Sequence, residues 1–202
     1  METIVIFANS VKHGQHCVAG KNLATRQWIR PVADVTGKEL EHEQAKCRNP
    51  YGRFLVKPLQ KIQMELDANV PLPHQPENYL VTDKEWIQTY KIEPEEVPSF
   101  LDYPEDLWGQ GNAIDADLVN RGVITIQQSL YLISVPELEL YKNEENKRRI
   151  EFLYNGVNYD LPVTDPNFDE LLRREKEHHG FICVSLGEEY NGRHYKIVAA
   201  II

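Results

Sequence analysis

Apolar and polar positions alternate most regularly near the carboxy terminus. "RRIEFLY" (148–154) and "VNYDLPV" (157–163) each alternate with a period of two, the spacing of a half-buried strand. Asn155-Gly156 separates them, and a type I′ turn needs positive φ at both of its central residues, which this dipeptide accepts readily. The turn sets the register: Tyr154 faces Val157, Phe152 faces Tyr159 and Ile150 faces Leu161. That apolar face is predicted to be core, and the opposite face carries Arg149, Glu151, Leu153, Asn158 and Asp160. "SLYLISVPELELYK" (129–142) precedes the hairpin as a long extended segment. "DPNFDELLRREKEHHG" follows it with Asp165 as helix cap, Pro166 at the first position, an apolar stripe of Phe168, Leu171 and Leu172, and Gly180 as stop. "FICVSLG" (181–187) and "RHYKIVAAII" (193–202) complete a β-β-β-α-β-β order, with Asn191-Gly192 between them. Five strands with a helix after the third is the order of the OB-fold, a small Greek-key barrel.

The amino-terminal part predicts the same order. "TIVIFAN" (3–9), "QHCVAGK" (15–21) and "RQWIRPV" (26–32) read as strands, "TGKELEHEQAK" (36–46) as a short helix, and "GRFLVKPL" (52–59) and "KIQMELD" (61–67) as strands. Pro58 restricts its strand to an edge or a bulge. Between the halves, "VPLPHQPENY" is irregular because prolines deny backbone donors. "TDKEWIQTYK" (82–91) carries a capping box, Thr82 with Glu85, and Trp86 and Tyr90 one helical turn apart. Tyr103, Trp108 and Ile114 anchor the loop that follows. The expected fold is thus mainly β with a few short helices: an OB-like barrel over 1–67, an acidic, partly irregular connecting segment over 68–125 packed on the barrels, and a second OB-like barrel over 126–202.

Charge sharpens this division. The 202 residues sum to −9, but residues 1–62 carry 10 Lys/Arg against 5 Asp/Glu, residues 63–128 carry 3 against 13, and residues 129–202 carry 9 against 13. A polyanion would bind, if anywhere, on the first third; ordinary fluctuation of charge along a chain is the competing explanation. No apolar run approaches the ~20 residues of a membrane span, and the start "METIVIFANS" lacks a basic signal region. Three scattered cysteines without a CxxC pair fit a reducing, cytoplasmic setting.

"IVIFANSVKHGQHCVAG", "WIRPV", "PLPHQPENYLV" and "GFICVSLGEEYNGRHYKIVAAII" together resemble the prokaryotic dual OB-domain proteins, over nearly the whole chain and least in the acidic middle. The resemblance implies two OB barrels and a nucleic-acid role, and it brings no catalytic motif.

OB barrels commonly bind oligonucleotides on the outer face of strands two and three, with aromatics for stacking and cations for phosphates. The second hairpin has no aromatic there and two acids. The first offers Trp28, Arg30 and Val32 on one face, with Arg26 extending the row, and Gln27, Ile29 and Pro31 on the other. If Ile29 enters the core, Trp28 and Arg30 face outward together as a base platform. If Trp28 and Val32 enter it, Arg30 becomes a barrel-mouth or salt-bridged residue; large aromatics favour burial. Arg53, Lys57 and Tyr51 are the further candidates for a nucleic-acid site, with Lys12, Lys21 and Arg48 nearby. The acidic middle is a candidate cover for such a groove.

Other chemistry is sparse. His13, His16 and Cys17 in "KHGQHC" lack the second close ligand pair of a zinc site, and Cys17 reads as a strand residue rather than a nucleophile. His178 and His179 complement a helix dipole. Asp115 and Asp117 could hold a metal with the other loop acids, though solvated acids are the default, and no phosphate-cradling GxxxxGK[ST] occurs. No catalytic constellation and no cofactor are expected. Three readings remain: a non-catalytic, single-strand-preferring nucleic-acid module using the first barrel; a protein-interaction adaptor using a sheet edge or the segment around Trp86, Tyr103 and Trp108; and a small-molecule or nucleotide-sensing pocket between the barrels.

Overall fold

The computed structural model describes residues 1–12, 14–174 and 178–202. Among the described residues it is mainly β, with three short helices and two sheets. The first half contains β1 (Glu2–Lys12), β2 (Gln15–Asn22), β3 (Trp28–Val32), β4 (Lys46–Asn49), β5 (Gly52–Leu55), β6 (Gln60–Met64), β7 (Leu66–Asn69), β8 (Asn78–Val81) and β9 (Trp86–Lys91). Strand β1 pairs antiparallel with β2 and β6, β2 pairs with β3, β3 runs parallel to β8, and β9 pairs antiparallel with β6. Because the chain passes from β8 into β9, these pairings close a ring of OB type, with β8 and β9 together forming its fifth side. That side comes from beyond residue 67, where the first barrel was expected to end. Close approach of β1 and β2 requires Gly20, since a Cβ there would lie 2.3 Å from the Val5 carbonyl oxygen.

Two expected helices in this half are absent. Residues 36–46 turn instead, and Leu40 exchanges backbone hydrogen bonds of 2.8 and 3.0 Å with His16 while its side chain enters the core. A helical Leu40 would spend those groups within its own turn. Residues 86–91 are strand β9, held between β4 and β6. Thr82 Oγ1 donates to the Glu65 carbonyl (3.2 Å) rather than capping a helix. Trp86, Ile87 and Tyr90 are β-forming residues, and strand neighbours on both sides outweighed the capping pattern.

A 3-10 helix (Pro94–Phe100) leads to the second half: β10 (Ala113–Asp115), α1 (Ala116–Asn120), β11 (Leu130–Lys142), β12 (Arg148–Tyr154), β13 (Val157–Pro162), α2 (Phe168–Arg173), β14 (His178–Tyr190) and β15 (Arg193–Ile201). The β12–β13 register is the one predicted, Tyr154 with Val157, Phe152 with Tyr159 and Ile150 with Leu161. Asn155 and Gly156 have φ of 46° and 79°, as their turn demands. Strand β11 pairs with β12 and β14, and β14 with β15. A parallel bridge between Val163 and Val198 closes the barrel.

Helix α2 is shorter than expected. Asn167 stands at its cap, while the buried Asp165 carboxylate accepts from Asn167 N (2.7 Å) and Ile201 N (2.8 Å) and so ties the helix start to β15. Phe168 is buried in the second core, with Leu171 and Leu172 packed against it. Residues 178–180 belong to β14, Gly180 pairing with Val135 rather than ending a helix. The helix-dipole role for His178 and His179 has no helix end to act on, and their side chains lie outside the described ones.

Each barrel has its own core. Ile4, Ile6, Ile29, Ile62 and Trp86 lie in the first, and Ile133, Ile150, Phe152, Tyr159 and Ile182 in the second. A third apolar cluster lies between them. It joins Val5, Phe7, Ala19 and Trp28 from the outer side of β1–β3 to Leu130, Leu132, Cys183 and Ala200 from the outer side of β11, β14 and β15, with Val97 and Phe100 of the connecting segment. The barrels therefore cover each other's outer faces.

Candidate functional site

Strand β3 alternates between two interiors. Ile29 enters the first barrel's core, so Trp28 and Arg30 do point outward together, and outward leads into the layer between the barrels. Trp28 is only 6% exposed. Its ring packs edge-on against Phe7 at 6.1 Å, and its Nε1 donates to Asp102 Oδ2 at 2.9 Å. Asp102 also accepts from Lys21 Nζ (2.6 Å) and from Leu132 N (2.8 Å), joining β2 and β3 to β11. Burial lowers the pKa of Lys21, and the adjoining Asp102 carboxylate partly offsets that. Connecting-segment residues thus seal the face on which base stacking was expected, and the indole has no free face to offer.

Arg30 is 8% exposed. Its Nη2 donates to Ser129 Oγ (3.0 Å) and Ser185 Oγ (3.1 Å), both from the second half. Glu77 stands 3.7 Å away and accepts from the Ser129 hydroxyl and backbone N–H. Arg30 Nε is buried and has no hydrogen-bond partner.

Beside this guanidinium lies a cavity of about 300 Å³ shared by the two halves. Strands β1–β3 contribute Ser10, His16 and Arg30, and β14 and β15 contribute Ser185, Tyr195 and Ile197. His16 is held on both ring nitrogens, by Asn9 Oδ1 (2.9 Å) and His42 Nδ1 (3.2 Å). Burial and His42 lower its pKa, leaving it neutral at pH 7. At the same junction His74 of the first half stacks on His194 of the second, with centroids 4.3 Å apart. Burial first, then His194 and Arg30, bring the His74 pKa down to about 4.

The remaining sequence candidates are dispersed. Arg26, at a φ of 63°, stacks its guanidinium 3.8 Å over Phe100. Tyr51 is 89% exposed at the tip of the β4–β5 hairpin. On that hairpin Arg53 pairs with Glu85 (3.2 Å) and Glu43 (3.5 Å), and Arg48 pairs with Glu85 (2.7 Å). Lys57 lies on a separate groove with Pro58, Pro136 and Phe181. Trp28 and Arg30 are thus brought together, whereas Tyr51, Arg53 and Lys57 are not part of their cluster. Trp86 is buried in the first core and Trp108 stacks on Tyr131 at 4.5 Å, while Tyr103 is exposed.

Asp115 accepts from the backbone N–H groups of Asp117 and Leu118 as the cap of α1, and Asp117 pairs with Arg121. Among the described residues no group of three or more His, Cys, Asp and Glu side chains is arranged to hold a metal, and His13 lies outside them. No described helix is long and apolar enough to cross a membrane.

Sequence reading missed Glu77, Asp102 and Ser185 as partners of the Trp28–Arg30 row. One signal was available: a basic first third followed by an acidic stretch. Lys21, Arg30, Arg48 and Arg53 all take counter-ions from residues 63–128.

Two OB-type barrels packed outer face to outer face, with a buried arginine beside a shared cavity, define the class. The chain belongs to the dual OB-containing domain family, whose model matches residues 2–201. No curated protein and no solved structure matches it.

Proposed function

We propose that this protein is a non-catalytic recognition module whose ligand occupies the cavity between the barrels. The observation carrying this reading is the cavity itself, about 300 Å³ and lined from both halves, with the nine-tenths-buried Arg30 in its wall. Small-molecule sites favour apolar concavities at domain junctions with a few convergent polar groups. The reading predicts stabilisation by a small molecule, about 2.7 kcal/mol at a hundredfold excess over Kd. A thermal-shift screen of metabolites on the wild type and on Ile197→Trp, which fills the cavity, tests it. Hits lost in the variant support the site; hits unchanged in it, or no hits, contradict it.

A second reading, single-strand nucleic-acid binding, is supported by the exposed Tyr51 ring beside Arg48 and Arg53. Their ion pairs with Glu85 and Glu43 are solvent-exposed and worth about 0–1 kcal/mol each, so phosphates can compete for them. This reading places binding on the β4–β5 hairpin instead of the Trp28 face. Fluorescence anisotropy with single-stranded DNA and RNA at low salt should show binding that Tyr51→Ala weakens by about 1–3 kcal/mol. Binding unaffected by that substitution, or none, removes it.

A further inference from the structure

Resting on the single-strand reading, we infer that the β4–β5 hairpin is one end of a wider strand-binding face, and that Tyr90 with Lys61 forms its second base-stacking position. The register fixes that face. Cys47, Ile62 and Trp86 enter the first core, so their neighbours Arg48, Lys61 and Ile87 point outward. Arg53 pairs with Arg48, Arg48 with Ile87 and Ile87 with Gln63, one outward row across β5, β4, β9 and β6. The next row runs Tyr90, Lys61, Val5, Lys21 and Trp28 across β9, β6, β1, β2 and β3. Its Val5, Lys21 and Trp28 end is buried beneath the connecting segment and the second barrel. Its other end emerges, with Tyr90 66% exposed. The second barrel thus takes one half of the first barrel's outer face and leaves the half over β4, β5, β6 and β9 exposed.

Tyr90 owes its direction to a bulge. Alternation from the buried Trp86 would turn it inward, but the register shifts between Lys61 and Ile62 and leaves Thr89 as an extra residue. Thr89 Oγ1 donates to the Lys61 carbonyl (3.3 Å), and Tyr90 comes out opposite Lys61. Lys61 Nζ lies 5.9 Å from the Tyr90 ring centroid, which sets a cation beside a π-face. A base needs such a face to stack on, and neighbouring cations track its phosphates. The two rows stand two residues apart along β6, about 7 Å, a step that one nucleotide of an extended strand can bridge. Strands β4 and β9 run parallel, and Asn49 Nδ2 donates to Gln88 Oε1 (3.0 Å). The hairpin tip with Tyr51 therefore lies at the same end of the sheet as Tyr90. Glu85 and Glu43 answer the two arginines only at the surface, as Glu93 answers Lys91, and the row of Tyr90 and Lys61 contains no acid.

The test is fluorescence anisotropy of the full chain with labelled oligothymidylate and oligouridylate at low salt, with polyglutamate as a competitor that has charge but no bases. Tyr90→Ala should weaken binding about five- to 150-fold. Tyr90→Phe, which keeps the ring, should bind within about twofold of the wild type. Lys61→Ala should weaken binding and lower its salt slope by about 1. Thermal melts establish that these surface variants fold. Loss at Tyr51→Ala with none at Tyr90→Ala overturns the wider face and leaves the hairpin reading intact. Loss at Tyr90→Ala with none at Tyr51→Ala removes the hairpin and keeps the Tyr90 position. Polyglutamate competing as well as unlabelled oligonucleotide makes this a charge site without base stacking and overturns the inference. If the wild type binds neither strand, the reading and the inference both fall.

Discussion

The two barrels present the same hairpin to different surroundings. On β2–β3 the outward residues Lys21, Trp28 and Arg30 are buried against the connecting segment and the second half. On β12–β13 the outward Leu153 is 54% exposed, and Arg149 pairs with Asp160 (2.9 Å) at the surface. The hairpin that looked like a ligand platform is an internal joint, and the plain one faces solvent. An aromatic–cation row on a small barrel serves either purpose. What distinguishes them is whether the chain supplies its own counter-ions. Here Asp102 and Glu77 do so, and that intramolecular complementarity accounts for part of the charge asymmetry along the sequence.

The comparison breaks most readily at Asp102. Asp102→Ala would leave Lys21 buried without its counter-charge and two donors, Trp28 Nε1 and Leu132 N, unmet. Denaturant unfolding should show a loss of about 3–5 kcal/mol. Asp160→Ala, removing the surface acid of the other hairpin, should cost about 1 kcal/mol or less. Equal losses would mean that the two faces are equivalent.

Trp28→Ala should cost about 3–5 kcal/mol through its cavity. Leu153→Ala, at the corresponding open face, should remain within about 0.5 kcal/mol. A small loss at Trp28 would place the ring in solvent and revive it as a stacking surface.

Acid should sharpen the contrast further. His74 sits at the junction with its pKa lowered from 6.5 to about 4. Between those values the unfolded chain binds a proton that the folded chain refuses. Stability therefore rises with pH across this window and is lost as pH falls from 6.5 towards 4. His74→Gln should flatten that part of the stability–pH curve in urea titrations; an unchanged slope assigns the dependence elsewhere.

The smallest effect is expected at Tyr51. Exposed at a hairpin tip, it should change stability by about 0.5 kcal/mol or less when replaced by alanine, read from the same urea titrations. A larger loss would give the hairpin a structural role in place of a binding one.

Much of the second barrel was legible from residues 148–163 because a two-residue Asn-Gly turn and strict alternation leave one register. The first barrel was less legible. Its fifth side, β8 and β9, lies past a proline-rich break, and the Thr82–Glu85 pattern imitates a helix cap where the segment is held by strands distant in sequence. The outward pairing of Trp28 and Arg30 followed from strand alternation once Ile29 was placed inside. That outward meant the second barrel did not follow, because contacts such as Arg30–Ser185 span 155 positions and leave no local pattern. The cavity, assembled from β1–β3 and β14–β15, was anticipated only as a pocket between the barrels, without its residues.

The central claim is that the β2–β3 outer face is interior. Hydrogen exchange of the Trp28 indole N–H, assigned by comparison with Trp28→Phe, tests it most directly. The structure predicts strong protection, because Nε1 donates to Asp102 in a buried layer, and no shift of this signal when single-stranded DNA is added. Exchange at the rate of a free indole, or a shift on adding the strand, would contradict it.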